Sequence, residues 1–171
     1  AVVAPLGTAL TEDQLELSWR YTSKTTIMFD GDNAGLRASY KSAIMALSLV
    51  TPKKFLQFVT LPKDYDPDTY INEVSFDKFL EKLKNPKTLS QFIFNESSKS
   101  ISLENVDEKI SYDEYLDNLI GSIKDRKIQY FYKSEFKSLF FNKIRKISNV
   151  VKVKKFPIKK ETNLSKKQIF S

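Results

Sequence analysis

The sequence predicts an α/β protein: a parallel-sheet portion followed by an α-helical bundle. Three observations carry this reading. Short β-branched and apolar runs alternate with helix-period segments in the first part of the chain. From about residue 75 the strand signals stop. Beyond that point amphipathic helical patterns follow one another with polar breaks between them.

Val2–Val3 reads as the end of a strand, followed by the turn residues Pro5 and Gly7. Thr11 with Gln14 three residues later forms a capping-box signature, opening a short helix that carries Leu15, Leu17 and Trp19. "TTIMF" (25–29) has the composition of a buried parallel strand. After the turn "DGD", Leu36, Tyr40, Ala43, Ile44 and Leu47 recur on one helical face. "FLQFVTLP" (55–62) is the next strand, stopped by Pro62. Strand and helix in this alternation predict a parallel sheet with right-handed crossovers. Phe76, Phe79, Leu80 and Leu83 then set a helix closed by Asn85–Pro86, and "LSQFIF" a second. Residues 112–132 place Tyr112, Tyr115, Leu116, Leu119, Ile123, Ile128 and Phe131 on one stripe, and "EFKSLFFNKIRKI" (135–147) continues in that style. The expected organisation is a sheet portion over 1–74, a helical subdomain over 75–150, and a basic tail or linker over 151–171.

The composition narrows the chemistry. The chain has neither cysteine nor histidine, which excludes disulfides, thiolate zinc sites and imidazole catalysis. Carboxylates, lysines and hydroxyls are left. No apolar run approaches a membrane span, so a soluble protein is expected. The chain opens "AVVAPLG", with no initiator Met and no signal-peptide pattern, and reads as a piece of a longer protein. The net charge of +7 is uneven: residues 1–85 carry −1, 86–119 carry −4 and 120–171 carry +12. Such a basic third beside an acidic site suits a nucleic-acid enzyme, although a lysine-rich coding bias with a solvated tail would give the same pattern. The 13 Phe and 8 Tyr mostly keep helical spacing with other apolar residues, which favours core packing over base-stacking platforms, including at "YFY" (130–132) and "FF" (140–141).

The aspartates carry the functional question. Asp30 and Asp32 stand at i and i+2 where a strand ends, at the sheet edge where open α/β folds place ligands. Gly31 lets the backbone bend between them. Two close carboxylates repel, so either one keeps a proton or a cation joins them. Mg²⁺ is bound through one or two carboxylates with water and substrate phosphate completing its shell. Against this stands a plain turn in which Asp32 or Asn33 caps the following helix. A second pair, Asp66 and Asp68, follows the next strand. Asp66 also suits an N-cap before Pro67, with Asp68 favoured by the helix dipole. Two such pairs after successive strands favour a carboxylate cluster for a divalent metal.

In "VVAPLGTALTEDQ" (2–14), "IMFDGDNAGLRAS" (27–39) and "LPKDYDPDTYI" (61–71), the chain resembles the toprim domain of bacterial replicative DNA primases of the DnaG type. The succeeding helices resemble, by position and pattern, the helical part that completes the primase polymerase core. The resemblance implies a polymerase making short RNA primers from ribonucleoside triphosphates on a single-stranded DNA template. It implies Asp30 and Asp32 as catalytic metal ligands for Mg²⁺ or Mn²⁺, with Asp66 and Asp68 completing the acidic site. Gly7 and Thr8 fall in the family's glycine turn close to that site. Arg37 and Lys41 can face triphosphate or template, or simply solvent. Zinc, the site's upstream glutamate and helicase docking belong to parts of such primases outside this chain, so the isolated chain is expected to be inactive. A cytoplasmic, monomeric protein is implied. One departure stands out: "KDYDPD" has Asp64 and Tyr65 where the family commonly has Gly-Lys. The competing readings are another toprim enzyme such as a topoisomerase or nuclease, a phosphotransferase of the haloacid-dehalogenase type, and a non-catalytic docking module. Ala34 stands where the phosphotransferase pattern wants Thr or Val.

Overall fold

The computed structural model describes residues 2–4 and 10–155, with side chains to residue 149. Helix α1 (Glu12–Tyr21) begins at the expected capping box: Gln14 N–H donates to Thr11 Oγ1 at 3.3 Å, and Thr11 N–H to Gln14 Oε1 at 3.0 Å. Leu15 and Trp19, one turn apart, face inward, while Leu17 stays half exposed. Trp19 Nε1 donates to the Phe55 carbonyl at 3.0 Å, and Ser18 Oγ meets Thr25 Oγ1 at 2.9 Å, so α1 is tied to both following strands.

Strand β1 (Lys24–Phe29) pairs in parallel with β2 (Phe55–Thr60), from Lys24 opposite Phe55 to Phe29 opposite Thr60. Helix α2 (Asn33–Leu47) makes the crossover between them. The sheet is mixed rather than purely parallel: β3 (Lys87–Thr88) adds antiparallel to β2, in the order β1-β2-β3. Two paired residues are too few to leave a period-2 signal, so this strand lies where none was expected. β1 is only partly buried, against the expectation for "TTIMF", because among the described residues it has a strand neighbour on one side alone. Val2 and Val3 form no strand and are exposed, with no described strand beside them to pair with.

The deepest face of α2 is Ser39, Ser42, Ala43, Ala46 and Leu47, shifted from the expected stripe; Tyr40 and Ile44 flank it half buried. Small residues let the helix approach its neighbours closely, and Ser42 Oγ satisfies itself on the Ala38 carbonyl at 2.9 Å.

Helices α3 (Pro67–Glu73), α4 (Phe76–Lys84), α5 (Leu89–Ser97), α6 (Val106–Gly121) and α7 (Arg126–Lys155) complete the chain. α5 is the hub. Its Leu89, Phe92, Ile93 and Phe94 are buried, and Phe92 stacks on Phe58 of β2 with ring centroids 4.2 Å apart. The same apolar cluster runs from Leu15 through Phe92 and Tyr112 to Phe136 and Phe140, so sheet and helices share one core. Tyr40 of α2 and Tyr115 of α6 also join their hydroxyls across that contact.

The stripe expected over 112–132 is two helices. α6 ends at Gly121, and Asp125 Oδ1 accepts from Lys127 and Ile128 N–H at 2.8 and 3.0 Å to start α7. The break rotates the later residues, leaving Tyr130 and Phe131 exposed, with Phe141 exposed further along α7, so these three are not core. α7 runs through Lys155, into the stretch read as tail, while 156–171 lie outside the described residues.

Candidate active site

In "DGDNAG", Gly31, Asp32 and Gly35 each have a local structural role, and the first aspartate has none. Gly31 is buried, and its N–H donates to the Tyr65 carbonyl at 2.7 Å, bonding the turn after β1 to the turn after β2. A Cβ on Gly31 would lie 1.8 Å from the Pro62 carbonyl oxygen, so only glycine fits. Gly35 is likewise forced, because a Cβ there would fall 2.3 Å from the Asp30 carbonyl oxygen. Asp32 is the N-cap of α2, with Oδ1 accepting from Gly35 N–H at 2.6 Å. Asp30 is exposed; it caps no helix and, among the described residues, forms no ion pair. Its backbone is pinned between α2 and β1 while its carboxylate is left to solvent.

The second turn is built in the same manner. Leu61 is buried, and Tyr65 N–H closes a turn on the Pro62 carbonyl at 3.3 Å. Asp64 takes the left-handed conformation with φ 65°, the region glycine enters most easily. The departure from Gly-Lys noted in the sequence thus falls at a position whose backbone suits glycine. Asp66 caps α3, Oδ1 accepting from Thr69 N–H at 2.7 Å, and Pro67 opens the helix. Hydrogen bonding from Thr69, side chain first and then N–H, holds the Asp66 carboxyl below the usual carboxylate range. Asp68 lies in the first turn of α3, where a helix dipole favours it. Tyr70 is buried and meets Tyr65 edge to face at 5.5 Å, bracing this turn from inside.

The expected site residues are therefore placed as follows. The turns carrying Asp30–Asp32 and Asp66–Asp68 are joined by a direct backbone hydrogen bond. Among the described residues, however, no three acidic side chains gather in a group suited to a metal ion. Arg37 and Lys41 are exposed on α2, and neither forms an ion pair among the described residues. Gly7 and Thr8 lie outside the described residues. The capping role of Asp32 uses one carboxylate oxygen, leaving the other available, whereas Thr69 engages the Asp66 carboxyl through both its N–H and its side chain. Sequence reading did not foresee the link from Gly31 to Tyr65, since a backbone carbonyl leaves no trace in residue type.

Comparison with known proteins places this geometry. Residues 1–71 match the Toprim-like family. The chain is 31% identical over 163 residues to the DNA primase of Rickettsia conorii, covering 95% of this chain and 26% of that protein. The likeness continues through the helices: a solved structure of the DnaG catalytic core superposes with a TM-score of 0.71 at 26% identity, over 84% of this chain and 46% of that one. The chain matches a segment of the DnaG-type bacterial DNA primases. A second DnaG structure, of the catalytic domain bound to single-stranded DNA, matches with a TM-score of 0.70 at 27% identity over 79% of this chain and 43% of its own. The chain spans about a quarter of the length of the Rickettsia primase, and within that span it holds the acidic sheet edge and the helices behind it. Among the described residues no helix is long and apolar enough to cross a membrane.

Proposed function

We propose that the full-length protein synthesises RNA primers on single-stranded DNA from ribonucleoside triphosphates, and that this chain supplies the acidic turns of its nucleotidyl-transfer site. The observation that carries the reading is the Gly31-to-Tyr65 hydrogen bond, which fixes two acidic turns side by side at one sheet edge. Asp30 and Asp32 hold the divalent cation, Mg²⁺ or Mn²⁺, with Asp66 and Asp68 as the flanking acidic rim. The donor chemistry fits: hard carboxylate oxygens, two of which suffice because Mg²⁺ keeps water and substrate oxygens for the rest of its shell. When bound, such an ion supplies neutralisation of the triphosphate charge and polarisation of the attacking hydroxyl.

The chain's own residues do the positioning. Gly31 and Gly35 let the backbone close tightly enough that Asp30 cannot swing with the loop. Asp32, tied to Gly35 N–H, presents its second oxygen in a fixed direction. Arg37 and Lys41, exposed on the helix that Asp32 caps, are placed to meet triphosphate or template. This chain alone is inactive, because it spans about a quarter of the primases it resembles and the rest of the polymerase core is needed to complete the site. The parent acts as a monomer in the cytoplasm and reaches the replicative helicase through another domain. The test is Asp30→Ala in the full-length protein. Primer synthesis is expected to vanish while the circular dichroism spectrum and melting temperature stay put, since Asp30 supports no packing. Retained synthesis would overturn the assignment.

A further inference from the structure

Helix α4 sits the wrong way round for a helix held by the hydrophobic effect. Its apolar residues lie on one face, yet Phe76 is 57% exposed, Leu80 36% and Leu83 37%, and none of its residues is buried. The opposite face, with Lys78, Lys82 and Asn85, lines a cavity of about 530 Å³ against the end of β2 and β3. Val59 and Thr60 form its floor, Tyr70 one wall, and Lys87 of β3 adds a third ammonium. Residues 78 and 82 are one helical turn apart, so their charges repel along the helix.

Among the described residues no ion pair offsets that repulsion. No one of the three lysines comes within ion-pair distance of a carboxylate among the described residues, although Glu81 also lines the cavity. Lys82 Nζ instead rests 5.5 Å from the Tyr70 ring centre, which holds the ammonium in place without neutralising it. Three cations turned into a concave site, while three apolar residues of the same helix face outward, call for an anion in that site. The cavity also adjoins the acidic turns. Thr60 ends the strand that leads into the second turn, and Tyr70 lies one helical turn beyond Asp66.

We propose that this cavity takes up the phosphodiester backbone of a nucleic-acid strand, with Lys78, Lys82 and Lys87 as counter-charges and Tyr70 holding Lys82 in register. The choice of nucleic acid among phosphate ligands rests on the primase reading. The anion-binding character of the cavity does not.

The test measures anisotropy of a labelled oligothymidylate with the whole chain, in EDTA, across a salt series. The triple substitution Lys78→Gln/Lys82→Gln/Lys87→Gln is compared with Lys124→Gln/Lys127→Gln/Lys137→Gln, which removes the same charge from exposed positions elsewhere. The cavity variant should bind at least about tenfold more weakly, its logarithmic salt slope shallower by about 2, as three lost phosphate contacts on a single strand require. The control should change less than about threefold. The arginine set, Lys78→Arg/Lys82→Arg/Lys87→Arg, should restore binding. Equal weakening by both glutamine sets would mean bulk charge alone, and would overturn the proposal. So would binding at wild-type strength by the cavity variant, or displacement of tripolyphosphate but not of the oligonucleotide by the cavity substitutions. With EDTA present, failure here leaves the metal reading untouched, and failure of the metal reading leaves this result standing.

Discussion

At the sheet edge, the turns after β1 and β2 are held by main chain. Gly31 N–H reaches the Tyr65 carbonyl, Gly31 and Gly35 clear the Pro62 and Asp30 carbonyls, and the carboxylates look outward. In the helical half side chains do the holding: Phe92 on Phe58, Tyr112 against Phe94 and Phe140, and Phe136 fully enclosed. The contrast separates two jobs. A turn fixed by its backbone can present ionisable groups without needing them for stability, whereas the helical core spends its side chains on packing. Substitutions should therefore divide into those that unfold the chain and those that silence the site.

The largest effect is expected in the core. Phe136→Ala should lower stability by about 3–5 kcal/mol, read as a fall in the denaturant midpoint at unchanged slope. A loss under about 1 kcal/mol would mean that α7 is not packed as described. At the turns, Gly31→Ala puts a methyl group into the Pro62 carbonyl, and should cost about 2–3 kcal/mol because the clash is with backbone. It should also abolish metal binding, so that one methyl group costs both stability and the site.

High pH probes the core without any substitution. Burial pushes the Tyr112 and Tyr132 hydroxyls up to about 12, above the value near 10 of an unfolded tyrosine. The folded state thus holds these protons more tightly. Its advantage is complete below pH 10 and is lost as pH rises from about 10 to 12. Melting temperature should fall across that window, and ultraviolet titration should show three tyrosines ionising late, because burial and the hydrogen bond to Tyr115 raise the Tyr40 hydroxyl as well.

Asp32 tests the division most finely. Asparagine caps as well as aspartate, so Asp32→Asn should leave stability within about 0.5 kcal/mol while weakening metal binding; Asp32→Ala should cost about 1 kcal/mol as well. Equal stability losses would show that charge, not capping, holds this turn. A gain rather than a loss is expected at Asp64, where Asp64→Gly relieves the left-handed backbone. A rise in melting temperature of about 1–3 °C is expected, worth up to about 1 kcal/mol.

The sequence was most readable where local chemistry decides the outcome. The capping box at Thr11, Pro67 behind Asp66 and the run "FLQFVT" each stand where their residue types put them. It was least readable where the outcome depends on a neighbour. Helical spacing in "SFDKFLEKLKN" marks an apolar face, but not whether anything covers it, and in α4 little does. Phe131 fits a continuous stripe until the break near Gly121 rotates it outward. β3 exists only because β2 offers an edge to Lys87 and Thr88. The aspartates fall between these cases. Their pattern pointed to the sheet edge, where the chain does place them, yet the same atoms of Asp32 and Asp66 also cap helices, and residue type alone cannot separate the two roles.

The most direct test of the central claim is calorimetric titration of Mn²⁺ into the whole chain, beside Asp30→Asn and Asp32→Asn, the two turn variants expected to stay folded. The account predicts saturable binding to the wild type, lost or weakened at least about tenfold in each variant with melting temperatures unchanged. Binding of equal strength in all three proteins would contradict it, because the cation would then sit away from the turn that Gly31 and Gly35 are shaped to hold.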